Sequence, residues 1–133
     1  MRLYITGSRG IKGIDLGVYV GEDTELIISS GRKGIEAEAE KYADDHNIEK
    51  LIISRNRGED FLICGRKMVD GADRVVVMWN GKTKNEKRIA DYAARKGKTV
   101  DVVLIRDVDT EKAVRLSKNT DFIFDTLPFQ RKM

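Results

Sequence analysis

The sequence predicts an α/β fold, a Rossmann-like three-layer sandwich built on a mainly parallel sheet of about five strands. Short, nearly continuous runs of valine, isoleucine and leucine recur along the chain, which is typical of strands covered on both faces. Helical segments with apolar residues at helical spacing lie between most of them. Strands and helices that alternate in this way form βαβ units, which connect with right-handed crossovers.

Five strands and three helices are predicted along the chain. The strands share β-branched and apolar side chains and cover residues 2–6, 25–29, 50–53, 74–79 and 100–105. The helices are amphipathic and cover residues 35–46, 60–69 and 85–95. Gly97 follows the third helix, at the position where a left-handed residue ends many helices. The glycine-containing stretch 11–23 is predicted to form only a short helix or a loop.

The C-terminal region is interpreted as an extension of a single domain. Residues 1–105 form the predicted Rossmann-like domain and residues 106–133 the extension, with a short helix predicted over 109–116. Three of the four phenylalanines lie in the last dozen residues. Because exposing that much apolar surface is unfavourable, we expect this segment to pack on the domain or against a second copy, as in a homodimer.

Composition limits the class of protein. A chain of 133 residues with 41% apolar and 35% charged side chains has the size and balance of one ordered domain. The single cysteine, Cys64, has no internal disulfide partner, which indicates a reducing compartment. No apolar run approaches the roughly 18 residues of a membrane span, and the N-terminus lacks a signal-peptide pattern. We therefore expect a soluble, cytoplasmic protein without a membrane partner.

Scarcity of histidine and cysteine excludes several kinds of site. His46 is the only histidine and lies at the polar end of a predicted helix, where a solvated role is expected. A zinc site built from one histidine and one cysteine is not expected, and a catalytic triad would need His46 in a cleft. No metal site is predicted and no cofactor is assigned.

Three predicted strand ends carry the same chemistry: glycine, a hydroxyl and a cation. These turns are Gly7-Ser8-Arg9, Ser30-Gly31-Arg32-Lys33-Gly34 and Asn80-Gly81-Lys82-Thr83. Glycine lets backbone amides approach an anion, and a helix that begins just afterwards directs unpaired N–H groups to the same point. None of the turns is a Walker loop or a dinucleotide fingerprint. Together they predict a phosphate site at the carboxyl edge of the sheet.

Charge is distributed unevenly along the sequence. The formal net charge is only +3. The four loops 6–12, 30–35, 54–58 and 80–84 hold eight cations and no acid, so the rest of the chain carries a net charge of −5. If the sheet is parallel, these loops share one edge and concentrate positive potential there.

Several of these residues resemble a known family. The carriers of the resemblance are Thr6-Gly7-Ser8-Arg9, Gly65-Arg66-Lys67-Met68-Val69-Asp70-Gly71-Ala72-Asp73, Asn80-Gly81-Lys82-Thr83-Lys84 and Asp91-Tyr92-Ala93. Over roughly residues 1–105 the chain resembles the YspA/YpsA-related branch of the SLOG superfamily, distant relatives of the LOG phosphoribohydrolases and of DprA. The resemblance implies a nucleotide-like ligand over Gly7, Ser8, Arg9, Gly31, Arg66, Gly81, Lys82 and Thr83.

The chain departs from the hydrolytic relatives at one important position. The place of their catalytic glutamate falls on Ile89, and Asn85-Glu86 replaces their glycine-threonine pair. The leading hypothesis is therefore binding of a nucleotide or nucleotide-derived phosphate ligand, in a sensor or a signalling or defence accessory domain. The alternative is N-glycosidic hydrolysis of a nucleotide, with Glu36 or Glu86 as the acid.

A third hypothesis is binding of single-stranded nucleic acid, for which Arg55, Arg57 and Lys84 would extend the cationic rim. Trp79, at the end of the fourth predicted strand, is interpreted as a core residue. The alternative role for Trp79 is to border a bound base.

Overall fold

A computed structural model describes residues 1–11, 13–55, 57–107 and 110–116. Within these residues six strands form one sheet: β1 Arg2–Gly7, β2 Leu26–Ser29, β3 Glu49–Ile52, β4 Arg74–Trp79, β5 Thr99–Asp107 and β6 Thr110–Leu116. The helices of the same residues are α1 Ile35–Asp45, α2 Phe61–Gly71 and α3 Lys84–Arg95. A 3₁₀ turn, Leu16–Val18, is the regular element within the described part of 11–23, so the prediction of a short helix or loop there is confirmed.

The sheet order is β3-β2-β1-β4-β5-β6. The first five strands in this order pair in parallel, which confirms the predicted α/β fold with a parallel sheet. From β1 the chain builds outward through β2 and β3 and then crosses back to place β4 on the other side of β1. The topological switch point therefore lies between β1 and β4, where doubly wound folds bind ligands.

The short helix predicted over 109–116 is wrong. Residues Thr110–Leu116 form β6, which pairs antiparallel with β5 from Asp107↔Thr110 to Val100↔Leu116. Without this strand the outer backbone groups of β5 would form an open sheet edge, and pairing with β6 satisfies them. The predicted packing of the aromatic residues beyond Leu116 concerns residues 117–133, which lie outside the described residues.

Two hydrophobic cores lie on opposite faces of the sheet, which makes the sandwich three-layered. On one face Ile5 and Met78 are buried together with Ile35 and Ala39 of α1. On the other face the buried side chains of β1, β4 and β5 lie against α2 and α3, with Met68 and Ala93 among the helical partners. Burial on both faces explains why the strands read as continuous apolar runs.

Gly7 ends β1 at a point of close packing. A Cβ atom added there would lie 2.6 Å from Cγ1 of Ile35 and 3.0 Å from Cβ of Met78. The missing side chain lets the beginning of α1 approach the end of β1, which brings the loops of the carboxyl edge close together. No helix among the described residues is long and apolar enough to cross a membrane.

Candidate functional site

A cleft of about 940 Å³ opens at the carboxyl edge of the sheet. Four strands contribute to its walls, because the loops after β1, β2, β3 and β4 all end there. The loops after the first three strands supply Arg9, Ser30, Gly31, Arg32, Ser54 and Arg55. The beginning of α3 and one residue of α2 supply Thr83, Lys84, Asn85, Glu86 and Cys64. The cleft thus lies at the edge where the glycine turns predicted it.

The cleft is cationic. Four of its lining side chains are basic, namely Arg9, Arg32, Arg55 and Lys84, and one is acidic, Glu86. Arg32 Nη1 lies 3.9 Å from Glu86 Oε2, so the pair joins the β2–α1 loop to the first turn of α3. The excess of positive charge favours an anionic occupant.

The N-terminus of α3 forms part of the wall and has no side-chain cap. Thr83 is the N-cap residue, but its Oγ1 shares a 2.7 Å hydrogen bond with Oγ of Ser8 and does not cap the helix. The first-turn amides of a helix have no intrahelical acceptor. Because the cap hydroxyl is engaged elsewhere, these amides and the positive end of the helix dipole remain available to an anion in the cleft.

The β4–α3 loop is held in shape by its own side chains. The carboxamide oxygen of Asn80 accepts hydrogen bonds from the backbone N–H groups of Lys82 at 2.8 Å and Thr83 at 3.1 Å. The indole N–H of Trp79 donates to the Thr83 carbonyl at 2.8 Å. Trp79 is 4% exposed and lies in the core, which confirms the structural interpretation of that residue.

Glu36 fixes the β2–α1 loop. It is 2% exposed, and its carboxylate accepts three hydrogen bonds: from Ser30 N at 2.7 Å, from Ser30 Oγ at 2.6 Å and from Thr6 Oγ1 at 3.0 Å. These bonds tie the end of β1 to the turn after β2. Glu36, which the sequence analysis gives as a candidate acid, thus stabilises the wall of the cleft through its hydrogen bonds.

Glu86 differs from Glu36 in its surroundings. It is 3% exposed, and its carboxylate accepts no hydrogen bond from a residue that the structure describes. Arg32, at 3.9 Å, forms its ion pair. Since both members of the pair line the cleft, the Glu86 carboxylate lies beside it with acceptor capacity that the described residues do not use.

The structure brings some of the predicted ligand residues into the cleft and others behind it. Arg9, Ser30, Gly31 and Thr83 line it. Ser8 is buried and supports Thr83, whereas Asn80 shapes its own loop together with Gly81 and Lys82. Gly34 precedes α1 as its N-cap residue with φ at 91°, a left-handed conformation that favours glycine.

Arg66, a predicted ligand residue, lies outside the main cleft. It is exposed on α2 and lines a smaller groove of about 250 Å³ between α2 and α3, together with Arg88 and Arg95. Its guanidinium carbon lies 5.5 Å from the centre of the Tyr92 ring. The structure therefore separates Arg66 from the residues that follow the strands.

Sequence reasoning missed three lining residues. Ser54 follows the third strand without glycine beside it, and Asn85 looks like an ordinary helix residue. Cys64 is 1% exposed, its thiol donates to the Ile53 carbonyl at 3.4 Å, and burial raises its pKa. Cys64 therefore remains a thiol near neutral pH, and no motif in the sequence indicated that it would reach the site.

The only histidine takes no part in the site. His46 ends α1, with its ring stacked on Tyr42 at 3.9 Å between centroids and its Nδ1 2.9 Å from the Tyr42 carbonyl oxygen. The cleft lies at the opposite end of this 11-residue helix, about 16 Å away. Among the described residues, no group of three or more His, Cys, Asp or Glu side chains is arranged to hold a metal ion.

Comparisons with known proteins give no match: no protein-family model, no curated protein and no solved structure matches this chain. The resemblance to the SLOG superfamily therefore stays a prediction from the residues that carry it.

Proposed function

We propose that the cleft at the carboxyl edge binds a nucleotide or a nucleotide-derived phosphate ligand, and that the protein acts as a sensor or accessory domain that responds to it. The observation that carries this proposal is the uncapped N-terminus of α3, which opens into a cleft lined by four cations. Backbone amides and guanidinium groups in this combination are suited to phosphate oxygens.

The size and chemistry of the cleft support the same ligand class. Its volume of about 940 Å³ falls in the range of roughly 300–1,000 Å³ that small-molecule sites occupy. The hydroxyl group of Ser54 adds a neutral donor beside the cations. The resemblance of the glycine turns to the SLOG superfamily points to nucleotides in particular, and membership of that family is itself part of the proposal.

A thermal-shift screen against nucleotides, nicotinamide dinucleotides and ADP-ribose tests the proposal. A ligand present at 100 times its dissociation constant should stabilise the folded protein by about 2.7 kcal/mol. Arg9→Gln should weaken binding by about tenfold or more, because it removes a cation from the lining. Lys41→Gln, an exposed charge change on α1, is the matched control. No shift with any phosphate ligand contradicts the proposal.

A second candidate function is N-glycosidic hydrolysis, and the position of Glu86 favours it over a role for Glu36. A carboxylate with free acceptor capacity beside a bound sugar can stabilise an oxocarbenium ion or activate water. Incubation with nucleoside monophosphates and chromatography for free base tests this activity. If the unaltered chain releases the base and Glu86→Gln does not, the protein is a hydrolase. Nucleotides that stay intact after prolonged incubation would show that the protein does not hydrolyse them.

A further inference from the structure

Glu86 is the one acid among the lining residues of a cleft proposed to bind phosphate. A buried carboxylate is unfavourable unless it is paired and hydrogen-bonded. Arg32, at 3.9 Å, supplies charge but lies beyond hydrogen-bonding distance, and no described residue donates a hydrogen bond to this carboxylate. Among the described residues, the Glu86 oxygens are therefore acceptors beside the cleft that receive no hydrogen bond.

The chemistry of the donor can be narrowed. An ionised carboxylate only accepts hydrogen bonds, so a phosphate oxygen placed against Glu86 would be repelled. The cations Arg9, Arg55 and Lys84 and the end of α3 can hold the phosphate elsewhere in the same cleft. A neutral group with O–H donors, close to the phosphate in the same molecule, fits the space beside Glu86. Two neighbouring hydroxyls on a sugar ring supply one donor for each carboxylate oxygen.

We infer that the cleft recognises a phosphorylated sugar with vicinal hydroxyls, and that Glu86 is the residue that selects for those hydroxyls. This inference rests on the proposed function and specifies which part of the ligand the protein reads. The described side chains that line the cleft are cationic, acidic, hydroxyl, amide or thiol groups, which match a sugar phosphate. The sugar phosphate is then sufficient for recognition, and a base attached to that sugar is not required for binding.

Titration calorimetry with a ligand series tests the inference. The series is inorganic phosphate, ribose 5-phosphate, a nucleoside monophosphate, and the 2′-deoxy and 2′,3′-dideoxy forms of that nucleotide. Ribose 5-phosphate should bind, and removal of the hydroxyls should weaken binding by about tenfold or more, as expected for hydrogen bonds to a charged group. This comparison uses the unaltered chain and does not depend on the folding of a variant.

Glu86→Gln provides the second arm, with Glu22→Gln, an exposed charge change in the loop before β2, as the control. Glu86→Gln should remove the preference for the ribose form. It should also tighten the binding of inorganic phosphate, because a like charge leaves the cleft. Glu22→Gln should change neither quantity.

The outcomes separate this inference from the function on which it rests. Equal affinity for ribose and dideoxyribose nucleotides would overturn the inference and leave phosphate binding standing. So would a ribose preference that survives Glu86→Gln, or binding that requires a base. If no phosphate ligand binds to the unaltered chain, the proposed function fails and the inference fails with it.

Discussion

Two buried glutamates near the cleft show how far the role of a residue depends on its neighbours. Glu36 and Glu86 both lie in the first turn of a helix, and both are almost completely buried. Glu36 accepts three hydrogen bonds that join the end of β1 to the turn after β2, whereas Glu86 accepts none from a described residue. One carboxylate therefore contributes hydrogen bonds to the folded structure, and the other is the one that we propose to contact a ligand.

The difference predicts opposite stability effects for the same chemical change. Glu36→Gln places an amide NH₂ where a donor is already present, so the free energy of unfolding should fall by about 1–3 kcal/mol. Glu86→Gln removes a buried charge that accepts no hydrogen bond from a described residue, so the loss should be smaller. Urea denaturation of the two variants at pH 7 measures both effects. An equal loss in the two variants would contradict the assignment of these roles.

The sequence predicted part of the lining of the cleft. Arg9, Ser30, Gly31 and Thr83 line the cleft as their turn chemistry indicated. Ser8 carries the same chemistry and is nevertheless buried, because its hydroxyl is used by Thr83, 75 positions away. Hydrogen bonds between distant loops decide which polar groups remain free, and a single sequence does not encode those pairings locally.

In the β4–α3 loop, the hydrogen bonds that hold the loop in shape and the charge of the loop can be changed independently. Asn80 holds the loop through its carboxamide oxygen. Asn80→Asp keeps that acceptor and adds a negative charge near the N-terminus of α3, which favours the helix. Its stability should therefore be maintained, while affinity for a phosphate ligand should fall by about tenfold or more because the added charge repels the ligand.

Asn80→Ala is the complementary variant, because it removes the acceptor without adding charge. It should lower the free energy of unfolding by about 1 kcal/mol or more through the two lost hydrogen bonds. Thermal unfolding and calorimetry on both variants provide the measurements. If Asn80→Asp lost stability as Asn80→Ala does, the carboxamide would not have the role assigned to it.

Asp73, just before β4, links the beginnings of β1 and β4. Its carboxylate accepts from the backbone N–H of Arg2 at 2.8 Å, and this hydrogen bond is the main cause of a pKa below the ordinary 3.8. A lowered folded-state pKa means that the stabilisation is fully present above pH 3.8 and is lost as the pH falls below that value.

Asp73→Asn should therefore be less stable than the unaltered chain at pH 7, and the difference should shrink as the pH falls below 3.8. Denaturant unfolding at a series of pH values measures the difference directly. A difference that is independent of pH would show that the ionised carboxylate does not stabilise this junction.

Strands and helices were largely predictable because their signals are local. β4 was predicted with its observed bounds, and β3 and α2 differ from prediction by one or two residues at their ends. β6 was not predicted, because the formation of this strand depends on pairing with the edge of β5 and not on its own sequence pattern. Its residues, Thr110–Leu116, favour a strand only when β5 is already there to pair with them.

In the whole molecule, the parallel sheet gathers positive side chains at one edge although the net charge is small. A net charge of +3 conceals loops of eight cations, and the shared carboxyl edge places four of them, Arg9, Arg32, Arg55 and Lys84, around one cleft. The sequence predicted this grouping because parallel strands all end at the same edge. The side chain of Arg66, which belongs to a helix face, could not be placed by that rule.

Two truncations test how the C-terminal region contributes to the molecule. A chain that ends at Leu116 retains β6, so it should keep the six-stranded sheet, and it is the reference for the shorter chain. A chain that ends at Asp107 loses β6, and its free energy of unfolding should fall by about 2 kcal/mol or more, since each lost hydrogen bond contributes about 0.5–1.5 kcal/mol. The exposed edge of β5 should also make it prone to aggregation.

Light scattering on the same chains addresses self-association. The sequence predicts that the aromatic residues beyond Leu116 pack on the domain or on a second copy, because Phe122, Phe124 and Phe129 would otherwise expose a large apolar surface. If they join two copies, the full chain is a dimer and the chain that ends at Leu116 is a monomer, which lacks the stabilisation that association gives to the folded state. A dimer that persists after this truncation would place the interface on the sheet and helices instead. A full chain that is already monomeric would show that the aromatic segment does not join two copies and would favour its packing on the domain.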